Sequence, residues 1–212
     1  MSDTNFSYPQ LIDVLPGVIH EINNPLGALI MNIAILREDT ELSALNPEEK
    51  ESLIETYDDM DNALQKIKDF VQSLGYLSVQ RFYDEPTGID LKYVINHSIN
   101  LFHNKLKRVV RTEVRQNSNS YLFVNIRITR VIIAFLEVLS QLVECDGEKI
   151  ILFDCDYLKE DQKVFCEISR KNCSLSMDLE KLTELSSMGD FSFEVHPGKV
   201  IFKFAPHEQI SI

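Results

Sequence analysis

The chain has no tryptophan and only seven glycines among 212 residues. The closest glycines, Gly189 and Gly198, are nine positions apart. A phosphate-cradling loop needs clustered glycines, so that backbone N–H groups can approach the anion closely. This chain has no such cluster. The longest uninterrupted apolar run, Val131 to Leu136, is far too short to span a bilayer. The opening Met-Ser-Asp-Thr-Asn has neither a basic nor an apolar region, so no signal peptide is expected. Positive charge is also scarce: 21 Lys and Arg stand against 33 Asp and Glu, a net charge of −12. A chain this acidic is poorly suited to nucleic acid or to an anionic membrane surface. The four cysteines, Cys145, Cys155, Cys166 and Cys173, form no C-x-x-C pair and have no histidine at ligand spacing. They read as small buried hydrophobes in a reducing compartment, with no metal site and a cytoplasmic location.

What remains is enough for a packed core. Hydrophobic residues make up 44% and charged residues 25% of the chain. The length suits one or two domains. Leu11, Leu15, Val18, Ile22, Leu26, Leu29, Ile33 and Leu36 recur in steps of three and four. This heptad stripe predicts a first helix from Tyr8 or Pro9 to Glu38, with Pro16 bending it or marking a new start. Asn46-Pro47-Glu48-Glu49 combines an N-cap, a first-turn proline and first-turn acids, a strong helix start. Leu53, Tyr57, Met60, Leu64, Ile67, Val71 and Leu74 carry the stripe of the second helix. A two-helix hairpin has too little interior to stand alone, so two copies are expected to form a four-helix bundle.

Residues 1–80 thus read as a helical hairpin, 81–88 as a linker and 89–212 as a second domain of mixed α and β structure. That domain is predicted to hold a helix from Ile89 to about His103 and a strand over Val109–Val114. A turn at Asn117–Ser120 and an apolar helix from Ile126 to Glu144 follow. Strands at Lys149–Tyr157, Val164–Ser169, Phe191–Val195 and Val200–Phe204 complete it, with one short helix around Leu175–Leu185. The order describes an α+β sandwich.

One stretch in the first helix is not explained by packing: His20-Glu21-Ile22-Asn23-Asn24-Pro25-Leu26. His20 lies two positions from both Val18 and Ile22, about 200° around the helix from the stripe. It should face water. Asn23, Asn24 and Gly27 follow at i+3, i+4 and i+7, on the same face. An imidazole nucleophile, two amides and a position without a side chain would suit close approach by another protein.

These seven residues resemble the H-box of two-component histidine kinases, the helix whose histidine carries a phosphoryl group. The resemblance implies that His20 is the phospho-acceptor. It makes Glu21 the adjacent acid that assists transfer, and Asn24 the amide able to orient a water for dephosphorylating a partner. Asn23, Gly27 and Met31 become partner-binding positions. It also implies that the hairpin dimerises and that the second domain is similar to the kinases' ATP-binding domain. The places matching that family's asparagine box are Ala134 and Val138, which cannot ligate magnesium. Its glycine boxes are missing, and the segment where the first would fall reads Arg170-Lys-Asn-Cys-Ser174.

The combined expectation is a histidine kinase-like histidine phosphotransferase. It would have a dimeric helical hairpin and a degenerate ATPase-like domain. It would pass a phosphoryl group between the aspartates of response-regulator receiver domains. It needs no cofactor of its own, and the receiver brings Mg2+. Alternatives are a receiver phosphatase using Asn24, a non-enzymatic adaptor or pseudokinase that binds receivers or kinases, and a divergent active kinase. The basic stretch Lys105, Lys107, Arg108, Arg111, Arg115 reads either as a solvated strand face or as a contact for an acidic partner. His97, His103, His196 and His207 are assigned no role.

Overall fold

The computed structural model describes residues 8–78, 85–109, 111–116, 122–158, 162–175 and 179–207. It divides into two compact units, Met1–Val79 and Gln80–Ile212.

The first unit is a helical hairpin. Helix α1 spans Tyr8–Leu42 and α2 spans Pro47–Ser78. Helix α1 continues through Pro16 and Pro25 and runs past the expected end at Glu38, so no new start occurs at Pro16. The start of α2 is fixed by a reciprocal cap. Glu49 N–H donates to Asn46 Oδ1 at 2.9 Å, and Asn46 N–H donates to Glu49 Oε2 at 3.1 Å. Leu26, Ile33, Tyr57 and Leu64 form a buried cluster, with Leu53 packed against it. Beyond it, Thr40 Oγ1 and Tyr57 OH hydrogen-bond at 3.0 Å. Arg37 bridges Asp58 at 2.7 Å and Asp61 at 2.8 Å, locking the register of the two helices.

The expected stripe divides in two. Leu15, Leu26 and Ile33 are buried, and so are Tyr57, Leu64 and Val71. Val18, Leu29, Leu36, Met60 and Ile67 remain 41–50% exposed. One hairpin buries only half of its heptad pattern.

The second unit contains β1 (Thr87–Asp90), α3 (Leu91–Val109), β2 (Arg111–Gln116), β3 (Phe123–Ile126), α4 (Ile128–Glu144) and β4 (Ile150–Leu158). Then follow β5 (Lys163–Ser169), α5 (Leu179–Gly189), β6 (Phe191–His196) and β7 (Lys199–Phe204). The five-stranded sheet has the order β2-β4-β5-β7-β6, and β1 pairs with β3 apart from it. Only β2 and β4 run parallel within that sheet. Burial alternates along β4, β5 and β7, so one sheet face is packed and the other is partly open. Phe153, Cys155, Cys166, Ile168, Val200, Phe202 and Phe204 are buried. Phe135 of α4 sits edge-on to Phe202, with ring centroids 4.9 Å apart. This is the α+β sandwich that the periodicity predicted.

Two short strands differ from the sequence reading. Thr87 and Gly88, expected in the linker, begin β1, and Phe123–Ile126 forms β3 ahead of α4. The start of α4 is hard to read because Arg127 occupies the N-cap without a side-chain hydrogen bond. The Asn117–Ser120 turn lies outside the described residues.

The cysteine expectation needs a correction. Cys155 and Cys166 are free and buried, but Cys145 and Cys173 form a disulfide with Cα atoms 5.8 Å apart. The tertiary fold returns the loop after β5 to the end of α4, a proximity that sequence spacing does not show. Arg170, 5% exposed, secures the same junction. Its guanidinium donates to the backbone oxygens of Leu142, Cys145, Gly147 and Glu148. Gly147 has no room for a Cβ, which would meet Lys171 O at 2.8 Å. A closed loop with a sequence separation of 28 stabilises by about 3–4 kcal/mol in the chain-entropy account. Cys145→Ser with Cys173→Ser is expected to lower stability by about that amount. Denaturant unfolding of the double variant, beside wild type with and without a dithiol reductant, measures it. An unchanged midpoint would show that the pair is not bonded in solution.

Candidate functional site

His20, Glu21, Asn23 and Asn24 lie on the solvent side of α1. Leu26, 5% exposed, anchors this part of the helix in the hairpin core, and Ile19 and Ile22 are half-buried. With those positions turned inward, helical geometry turns His20 outward. His20, Glu21, Asn23, Asn24 and Gly27 are all exposed, and Met31 is 67% exposed. From His20 to Met31 the strip is about 16 Å long, at 1.5 Å per residue. A Cβ added at Gly27 would meet nothing within 4 Å, and the same holds at Gly17. Glycine weakens a helix interior by roughly 0.5–1 kcal/mol relative to alanine. Packing within the hairpin does not require glycine at either place.

The structure therefore brings the imidazole of His20, the amides of Asn23 and Asn24 and the exposed Met31 onto one open face, with the Glu21 carboxylate exposed about 100° around the helix from His20. Such a face can present a ring nitrogen lone pair to an electrophile carried by another protein. The sequence reading missed the breadth of apolar surface nearby. Ile30 and Ile35 on α1 and Phe70 on α2 are 41–49% exposed. All three fall outside the heptad positions, so the stripe could not mark them.

In the second unit, Ala134 and Val138 are fully buried on α4. Helix α5 packs on α4 with Leu182 and Leu185 buried. Two ion pairs flank this contact: Lys181 with Glu137, and Arg127 with Asp190 at 2.6 Å. The Arg170–Ser174 stretch, which the resemblance matches to the first glycine box, instead supplies Arg170 and Cys173 to the junction at the end of α4.

Among the described residues no group of three or more His, Cys, Asp or Glu is placed to hold a metal ion. Nor is any helix among them long and apolar enough to cross a membrane. Of the histidines left without a role, His97 is buried with its ring edge-on to Tyr93, and His196 Nε2 lies 3.5 Å from Glu194. Lys203, at 2.5 Å, and His196 hold the Glu194 carboxyl below its usual range.

No family model and no curated protein matches the chain. Solved structures do. The chain is similar to the Acinetobacter baumannii histidine kinase AdeS, with 13% identity over 89% of this chain and 98% of that one, at a TM-score of 0.44. It is similar to the nucleotide-free catalytic domain of histidine kinase ThkA, with 18% identity over 57% of this chain and 95% of that one, at a TM-score of 0.45. It is also similar to ThkA in the crystal structure of that kinase with the response regulator protein TrrA. There the identity is 16% over 94% of this chain and 64% of that one, at a TM-score of 0.44.

Proposed function

We propose that this protein is a homodimeric histidine phosphotransferase that relays phosphoryl groups between receiver-domain aspartates through His20. The observation that carries the proposal is the contrast between two helices. On α1, the imidazole of His20 and its polar neighbours face solvent with open space at Gly27. On α4, the positions that the resemblance matches to magnesium-binding amides are Ala134 and Val138, both sealed in the core. The His20 face is open to solvent, which supports a role as acceptor for a partner's phosphoryl group, while these two positions offer a nucleotide no ligand.

The chemistry asks little of this chain. A ring nitrogen of His20 attacks phosphorus in line, and the P–O bond to the receiver aspartate breaks as the P–N bond forms. The carboxylate leaves on the receiver, which also brings the Mg2+ that neutralises phosphoryl charge. Glu21 can take up a proton shared with the imidazole. The reverse reaction passes the group to a second receiver. Asn24, one turn beyond His20, is exposed and can also orient a water. That supports a receiver phosphatase as the second reading.

The test is incubation of the protein with a phosphorylated receiver domain, followed by a search for acid-labile phosphate on His20. Labelled His20 is expected. Accelerated receiver dephosphorylation without labelling would favour the phosphatase. A stable complex with neither activity would favour an adaptor.

A companion prediction concerns nucleotide. Calorimetric titration with Mg-ATP at millimolar concentration is expected to show no binding, because Ala134 and Val138 supply neither magnesium nor phosphate ligands. Micromolar affinity, or autophosphorylation from labelled ATP, would overturn this reading of the second unit.

A further inference from the structure

Strand β2 ends the five-stranded sheet. It pairs with β4, and no strand among the described residues lies on its other side. Arg111 N–H donates to Lys149 O at 2.8 Å. Backbone groups alternate in direction along a strand, so those of Thr112 and Val114 point to the open edge. The side chains on the packed face of β2 are incompletely covered, and Val114 is 38% exposed. Beside it lies a cavity of about 50 Å³. Ile95, Val114, Leu122 and Cys155 give it an apolar lining, and Lys92 and Arg115 bring two cations to it.

This edge differs in charge from the chain that carries it. Lys92, Arg111 and Arg115 are exposed in a protein of net charge −12. Arg115 pairs at 3.2 Å with Glu113, but its side chain is 61% exposed. A surface pair of this kind contributes little and can be exchanged for another carboxylate.

We propose that β2 is a docking edge for an extended acidic segment of a partner protein, which adds to the sheet as a strand. The open N–H and C=O groups of Thr112 and Val114 supply main-chain bonds. The apolar cavity beside Val114 takes one small aliphatic side chain, and Lys92 and Arg115 receive the carboxylates that flank it. Alternation of acidic and small aliphatic residues is the pattern that fits, because side chains of a strand alternate between faces. The site does not involve His20 and stands independently of the relay.

The probe is a fluorescein-labelled eight-residue peptide of alternating Glu and Val, titrated with the full chain and followed by fluorescence polarisation. Saturable binding is expected. Lys92→Glu with Arg115→Glu should weaken it at least tenfold, and a peptide of alternating Lys and Val should not bind. N-methylation of every second peptide residue, which removes the donors a strand needs, should abolish binding while leaving the protein untouched. Val114→Pro, which removes an outward N–H at an edge position, should do the same with an unchanged far-ultraviolet spectrum. The proposal is overturned by any of four results: no binding at millimolar peptide, equal binding of the N-methylated peptide, indifference to charge reversal, or self-association of wild type that the charge-reversed variant loses.

Discussion

His20→Ala is expected to take up no phosphoryl group from a phosphorylated receiver while remaining folded. The side chain is exposed and makes no contact on which the hairpin core depends. Alanine is the better helix former, so the hairpin should be unchanged or gain a few tenths of a kcal/mol. Neighbouring substitutions separate the roles along the face. Asn24→Ala should keep acceptance if the protein is a relay, since an amide that places a water has no part in P–N bond formation. Gly27→Leu should weaken receiver binding without altering the chemistry, because it fills space that is open in the hairpin. The measurement is transfer from a phosphorylated receiver to wild type and to each variant, with receiver binding followed in parallel. Phosphate on His20→Ala would remove the relay assignment. Loss of acceptance with dephosphorylation retained, and that dephosphorylation lost in Asn24→Ala, would make the protein a phosphatase.

The helices were legible because their signals are local. Asn46-Pro47-Glu48-Glu49 announces α2, and both capping bonds form. The outward direction of His20 followed from its offset to a stripe whose anchor, Leu26, is buried. Short elements were harder. Strands β1 and β3 are four residues each, and they make sense only as each other's partners, from Thr87 opposite Ile126 to Asp90 opposite Phe123. A pairing across more than 30 residues leaves no mark in either segment. The same limit hid the bond between Cys145 and Cys173 and the turn of Arg170 into the α4 terminus. The heptad pattern revealed which residues are apolar, but not which half a single hairpin buries. Lys92 and Arg115 illustrate the point at β2. They are 23 positions apart in sequence, and only the fold sets them around one cavity.

The second large effect separates the core of one hairpin from the seam of the proposed dimer. Leu64 is 8% and Val71 is 2% exposed, and Leu64 packs with Leu26, Ile33 and Tyr57 inside one hairpin. Glutamate at both positions buries two unpaired carboxylates, at several kcal/mol each. That exceeds what a small helical unit can lose, so Leu64→Glu with Val71→Glu should unfold the hairpin and lose the helical signal of α1 and α2. Leu29 and Ile67 behave differently. They are 50% and 46% exposed on the half of the stripe the hairpin leaves open. Scattered exposed apolar residues are ordinary, but repetition at heptad spacing on both helices is the pattern that the proposed four-helix bundle requires of its seam. Leu29→Glu with Ile67→Glu should therefore keep the helical signal and abolish the dimer. Sedimentation velocity at micromolar concentration, read beside circular dichroism, distinguishes the two cases. Wild type sedimenting as a monomer would refute the four-helix bundle. A folded dimer in the Leu29→Glu, Ile67→Glu variant would place the two-fold interface elsewhere.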